Sequence, residues 1–325
     1  PPRSTQSRSS AASDVYKRQI LVRLPGGMLS KPAIAKKSGN FLSELFVVFN
    51  DRIFLIYLLV IFVIHGANSA IGIYFPIILK ERLGFFEANI LLVDFVGRMA
   101  PLITSFLWGW CSDRFGSKTL MLIGLYSFLL MPIVLFINIL FPNEFVFFII
   151  LITNIIASSL VFAFIISVPR YLYNTILCQV DNRVSYFAAF YATSCLAQTV
   201  FPLITGFLID KLPSIQLFGL RIDSYAQFTV LIFLCYVIGI ILAKKMKGDS
   251  EVGPSKFLGM FIQGNPISVF SNIIRLYHAL DEDDRVNIIK NLGNSGSELG
   301  LKELLISLND PSFNVRYETI IALSR

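Results

Sequence analysis

Gly109-Trp110-Cys111-Ser112-Asp113-Arg114-Phe115-Gly116-Ser117-Lys118 forms a short charged hinge between two long apolar runs. Two membrane helices that reverse within a few residues need backbone freedom at the turn, which Gly116 supplies, and room to approach, which Gly109 offers. Arg114 and Lys118 place the turn on the side where basic loop residues accumulate. Asp113 can accept from the N–H groups that open a neighbouring helix, or pair with a basic side chain.

The composition around the hinge excludes a water-soluble domain. The 325 residues are 55% hydrophobic and only 15% charged, with 30 Phe and a mean hydropathy of +0.68. Crossing a ~30 Å hydrocarbon layer takes ~20 apolar residues in a helix. Six stretches qualify: 53–73, 90–110, 120–140, 145–168, 186–209 and 227–243. The implied class is an all-α polytopic membrane protein.

Lys and Arg set its orientation. Arg23, Lys31, Lys36, Lys37, Arg52, Arg114, Lys118, Arg170, Arg183, Lys244, Lys245 and Lys247 fall on the side of the hinge, against Lys80, Arg82, Lys211 and Arg221 on the other. This asymmetry places both ends in the cytoplasm of a cell (inner) membrane protein. The net charge of +7 then reads as topology, and no nucleic-acid partner is implied. Cys111, Cys178, Cys195 and Cys235 show no C-x-x-C spacing, and His65 and His278 lie far apart, so neither a metal site, a disulfide framework nor an enzyme is indicated. No phosphate-cradling Gly-x-x-x-x-Gly-Lys-(Ser/Thr) loop occurs, and no cofactor is called for.

The hinge resembles the loop signature of the major facilitator superfamily, Gly-x-x-x-Asp-(Arg/Lys)-x-Gly-(Arg/Lys)-(Arg/Lys), carried by Gly109, Asp113, Arg114, Gly116 and Lys118. Ser117 departs from it by replacing the first residue of the terminal basic pair. The resemblance covers residues 40–247 and implies the C-terminal six-helix half of a twelve-helix transporter, with the missing N-terminal half as its partner. In that family a basic loop such as 20–51 would join the sixth and seventh helices.

Both ends read differently from the bundle. Residues 1–19 are Ser- and Arg-rich without hydrophobic period and look like translated non-native linker, so the chain reads as a fragment. Residues 20–51 form the central loop and 52–247 the bundle. After it come a Gly/Pro-containing linker and amphipathic helix over 248–280, then soluble helical sequence over 281–325. There Arg285-Val286 and Leu292 recur as Val315-Arg316 and Leu323, a spacing of roughly 31 residues that marks stacked helical pairs. Asp310-Pro311 followed by Val315-Arg316 and Ala322-Leu323 resembles a HEAT-type repeat, with Ile320, Ile321 and Leu323 expected to face inward; the repeats are incomplete, and a plain amphipathic tail fits as well.

Polar groups inside the spans are the functional candidates, because a buried charge costs a few kcal/mol and requires a partner or a wet cavity. Asp94 and Arg98 sit four apart and continue through Pro101, Ser105 and Gly109, a face expected to point into the bundle. Asp94 is then a coupling carboxylate, Arg98 an anion-binding group, or the two a structural ion pair. His65, Asn68, Tyr74 and Pro76 in the first span suggest a broken helix lining a site. Tyr191 and Gln198 flank a small-residue stripe of Ala188, Ala192, Cys195, Thr199 and Pro202 in the fifth span, and Asn154, Ser158 and Ser159 add donors from the fourth. Each can bind a hydroxylated solute or serve a helix–helix contact.

Two functions are expected from this pattern. One is a secondary transporter half, a symporter moving a sugar or other small polar metabolite by alternating access on an ion gradient. The other is a transport-inactive anchor or receptor that presents the HEAT-like module to a cytoplasmic protein.

Overall fold

The computed structural model describes residues 48–324 apart from 181–182, 218–219, 249–252, 254, 256, 258, 260–265 and 280. Residues 1–19, expected to be linker, and the basic residues Arg23, Lys31, Lys36 and Lys37 of the expected central loop lie outside the described residues. Among the described residues, six helical spans are long and apolar enough to cross a membrane.

Helix α1 (Arg52–Glu81) starts where Asp51 accepts from the N–H groups of Ile53 (2.9 Å) and Phe54 (3.4 Å), satisfying donors that no turn of helix can reach. It runs unbroken through Pro76, so the interruption expected in the first span is absent. Helix α2 (Glu87–Phe115) carries most of the ten-residue hinge as regular helix. The reversal is confined to Gly116, whose φ of 85° is left-handed and unfavourable for a side chain. An added Cβ at Gly109 would meet nothing within 4 Å, so this glycine serves no close approach.

The break falls instead in the third span, which divides into α3 (Ser117–Ser127) and α4 (Leu130–Leu140). Pro132 explains it: a ring without an N–H leaves the Phe128 carbonyl without its helical donor and crowds the preceding turn. Ser127 Oγ donates to the Gly124 carbonyl at 2.6 Å, which helps hold the bend. Helix α5 (Val146–Tyr171) loosens after Pro169 into a π turn (Leu172–Ile176). Helix α6 (Arg183–Lys211) is joined by a two-stranded hairpin, β1 (Ile215–Leu217) and β2 (Leu220–Ile222), to α7 (Ser224–Lys244). Asp223 caps α7 through the Ala226 N–H at 3.0 Å and takes the Arg82 side chain at 2.5 Å.

The packing has an internal order. The first span contacts the fifth and sixth, the fourth contacts the second and third, and the third meets the sixth. Exchanging spans one to three for spans four to six leaves this neighbour pattern unchanged, as an inverted repeat of three helices requires. Small residues permit the contacts: Gly66 lies under Phe201, Gly97 under Asn154, Gly124 under Phe164 and Gly239 under Ile64. The small-residue stripe expected in α6 is largely exposed, and its buried face is Ser185, Tyr186, Ala189, Phe190, Ser194, Ala197 and Thr205.

Beyond α7 the chain forms α8 (Pro266–His278), α9 (Glu282–Asn294), a short 3-10 turn, α10 (Leu301–Ser307) and α11 (Phe313–Leu323). Ser312 caps α11 at the Val315 N–H, while Arg316 reaches back to the carbonyls of Asp310 (2.6 Å) and Pro311 (2.9 Å). The face of α11 turned toward α9 is Val315, Thr319 and Ala322; Ile320, expected inward, is 60% exposed. The buried stripe steps four residues from Val315 to Thr319 and three more to Ala322, one position before Ile320 and Leu323, which is why Ile320 falls outside it.

Candidate functional site

An open-sided cavity of about 490 Å³ is lined by spans one, two, three, four and six. Asn68 from α1, Arg98 from α2 and Asn154 and Ser158 from α5 supply its polar groups; Phe75, Phe128, Phe162 and Tyr236 supply aromatic walls. Ser127 and Phe128 bring the α3–α4 break to its edge. The helix therefore departs from regularity where it borders a cavity, the place where a membrane tolerates irregular backbone.

The polar side chains differ in how far they are already engaged. Asn154 donates through Nδ2 to the Val93 carbonyl at 2.7 Å and accepts from Ser158 Oγ at 3.3 Å, binding α5 to α2 while edging the cavity. Arg98 Nε donates to Asp94 Oδ2 at 2.8 Å, which leaves the two terminal nitrogens of the guanidinium for other acceptors. The expected pair forms, but its face does not point into the bundle: the side chains of Arg98 and Asp94 are 75% and 48% exposed. Only Arg98 reaches the cavity edge.

Other residues singled out by sequence are placed elsewhere. His65 packs edge-on against Phe164, with ring centroids 6.3 Å apart, and does not line the cavity. Tyr74 donates to the Pro202 carbonyl at 3.3 Å and rests on Phe228. Tyr191 is an exposed partner of the Phe190 ring. Gln198 contributes its backbone: Pro202, four residues later, cannot donate to the Gln198 carbonyl, and Ser69 Oγ from α1 fills that place at 2.9 Å.

The hinge is a second centre, at the end of the bundle nearest the tail. Asp113 pairs with Arg170 of α5. Lys118 donates to the carbonyls of Lys244 (3.3 Å) and Met246 at the end of α7, and Tyr171 donates to the Lys247 carbonyl at 2.9 Å. Arg114 is held by the tail: Nη1 reaches Glu303 Oε1 and Oε2 at 2.7 and 2.6 Å. These side chains are only 10% and 6% exposed. Its guanidinium lies 5.2 Å from the Trp110 ring centre and 5.9 Å from that of Phe115. Nothing in the sequence marks Glu303 as a partner, since no periodicity relates a tail helix to a loop so distant in the chain. The α3–α4 break had a readable signal in Pro132.

The described residues thus form a six-span helical bundle with a largely apolar cavity carrying a few polar side chains, and a charged reversal centred on a glycine. The profile of the Major Facilitator Superfamily matches residues 57–273, and the chain belongs to that superfamily. The match extends past the bundle into α8. No curated protein matches the sequence. Two solved structures of a peptide transporter POT, both of a mutant, one with sulfate and one with alafosfalin, resemble it at 14% and 16% identity, with TM-scores of 0.45 and 0.43. In each case the match covers 91% of this chain and 56% of the other, so the chain spans little more than half the length of those transporters.

Proposed function

We propose that the chain is a six-helix half of a secondary transporter that passes a small polar solute, a sugar or other polar metabolite, through the cavity beside Asn68, Arg98, Asn154 and Ser158, driven by an ion gradient. The cavity carries this reading, because it joins hydrogen-bonding side chains to aromatic walls inside an apolar bundle of the matching family. Asn68 and Ser158 offer groups for hydroxyls, and the open edge of Arg98 offers a fork for an anionic group. Asp94, beside Arg98, is the carboxylate proposed to couple ion movement to solute movement.

The remaining partners belong to the same proposal. Helices α2 and α6 expose both apolar residues (Phe95, Leu102, Leu203, Phe207) and the polar groups Asp94, Arg98 and Gln198. A mixed face of this kind fits another six-helix unit, against which this one rocks, better than it fits lipid alone. In this reading both ends lie in the cytoplasm, and α9 to α11 form a HEAT-like segment.

Uptake into proteoliposomes, scanned across labelled sugars, amino acids and organic anions, tests the function. A solute that moves with the intact chain and stops with Arg98→Gln or Asp94→Asn, while the protein still folds, supports it; a full screen without flux in the assembled transporter removes it. The anchor reading predicts no flux with any solute and capture of a soluble protein by the tail.

A further inference from the structure

We infer that the tail is a releasable clamp across the bundle, with Arg114–Glu303 as its latch. Three kinds of contact meet in one seam. The latch pairs both oxygens of Glu303 with one nitrogen of Arg114 in a site nearly closed to water. Around it Phe257 packs edge-on against Phe115 with centroids 5.0 Å apart, and Phe270 lies between Phe106 and Trp110 at 5.4 and 5.5 Å. The same apolar cluster runs without a gap from Cys111, Leu120 and Ala163 in three spans to Ile288, Leu292 and Leu304 in the tail.

The placement gives the seam its consequence. Cys111, Leu120 and Ala163 belong to spans two, three and four, which also line the cavity. One tail therefore covers the hinge side of helices that line the cavity, where it must shift if the cavity is to open on that side. The chemistry of the latch points the same way. A buried ion pair adds little net stability because both charges lose water, whereas breaking it by removing one partner is costly. Such a pair fixes one register and is lost abruptly, which suits a catch better than a glue. The clamp rests on the proposed transporter only in taking the cavity as the space that opens.

Thiol accessibility tests it without any solute, so a failed clamp and a failed transport reading are distinguishable. In the full chain carrying Cys178→Ser, Cys195→Ser and Cys235→Ser, Cys111 is the sole thiol, and it is wholly buried in the seam. In vesicles, a polar maleimide should label it slowly, and Glu303→Gln should raise the rate about tenfold or more. With Cys111→Ser and Ser158→Cys, the same Glu303→Gln change should raise labelling of the cavity from the tail side. The exchange Arg114→Glu with Glu303→Arg should restore protection at both positions. Should Glu303→Gln not fold, Glu303→Asp, which keeps the charge and shortens its reach, should give an intermediate rate. Unchanged labelling of Cys111, exposure of Cys111 without exposure of Ser158→Cys, or an exchange that restores nothing would overturn the clamp.

Discussion

Among the arginine–carboxylate pairs of helix α2, two have opposite surroundings. Arg98 and Asp94 sit one turn apart on an exposed face, joined at 2.8 Å. Arg114, near the end of the same helix, joins Glu303 of α10 across the fold at 2.6 Å, with both side chains nearly buried. Similar distances conceal different physics. The first pair lies inside a span at the rim of the cavity with few protein neighbours, whereas each member of the second is enclosed by protein and depends on the other to offset lost hydration. Removing one charge should thus be an inexpensive probe of chemistry at Arg98 and an expensive structural lesion at Arg114.

The largest effect is expected at the buried pair. Glu303→Gln or Arg114→Gln should each lower unfolding stability by about 3–5 kcal/mol, with the double substitution costing far less than their sum. Thermal unfolding in detergent across the four-member cycle measures this; additive losses would place the two pairs in one class. Phe257→Ala should cost about 3 kcal/mol by leaving a cavity against Phe115. By admitting water it should also make a subsequent Glu303→Gln cheaper, which the same unfolding cycle reports. Arg98→Gln should cost less stability than Arg114→Gln, because little protein packs on the Arg98 side chain, while abolishing flux of whichever solute the screen identifies. A fall in stability matching that of Arg114→Gln would break the contrast.

The smallest effect belongs to a fully exposed carboxylate. Glu282 is held below its usual range mainly by hydrogen bonds from Ser312 and Asn314, the latter at 2.7 Å. A carboxyl depressed in the folded state contributes stability above its unfolded pKa of about 4.5, and loses it as pH falls through the lower folded value. The α9–α11 contact should therefore loosen slightly in acid, and Asn314→Ala should shift the Glu282 titration upward, as carboxyl NMR would register.

The two pairs also show what a sequence can reveal. Asp94–Arg98 was legible because helical spacing alone brings residues four apart together. Its exposed setting was not, since which face of α2 packs depends on α5. Six spans could be counted from apolar length, yet the hinge extended as helix up to Gly116 because capping and packing, rather than charge, decide where a helix stops. Gly116 and the tail helices were visible in turn chemistry and periodicity. Asn68 and Asn154 reach the cavity as polar residues in apolar spans should, whereas Tyr74 donates to the Pro202 carbonyl and Gln198 offers Ser69 its own carbonyl, which Pro202 leaves without a helical donor. Glu303 had no local signal, because its partner is supplied by folding.

Ser69 reaching the carbonyl stranded by Pro202 makes one residue's presence conditional on another's. While the proline stands, the hydroxyl spares lipid from facing a naked dipole, a service worth about 0.6 kcal/mol in comparable interhelical bonds. Restore an amide donor with Pro202→Ala and the serine becomes redundant. Lineages of this chain should then shed the two together, leaving a paired footprint in inheritance where the physics sees a single repaired bond.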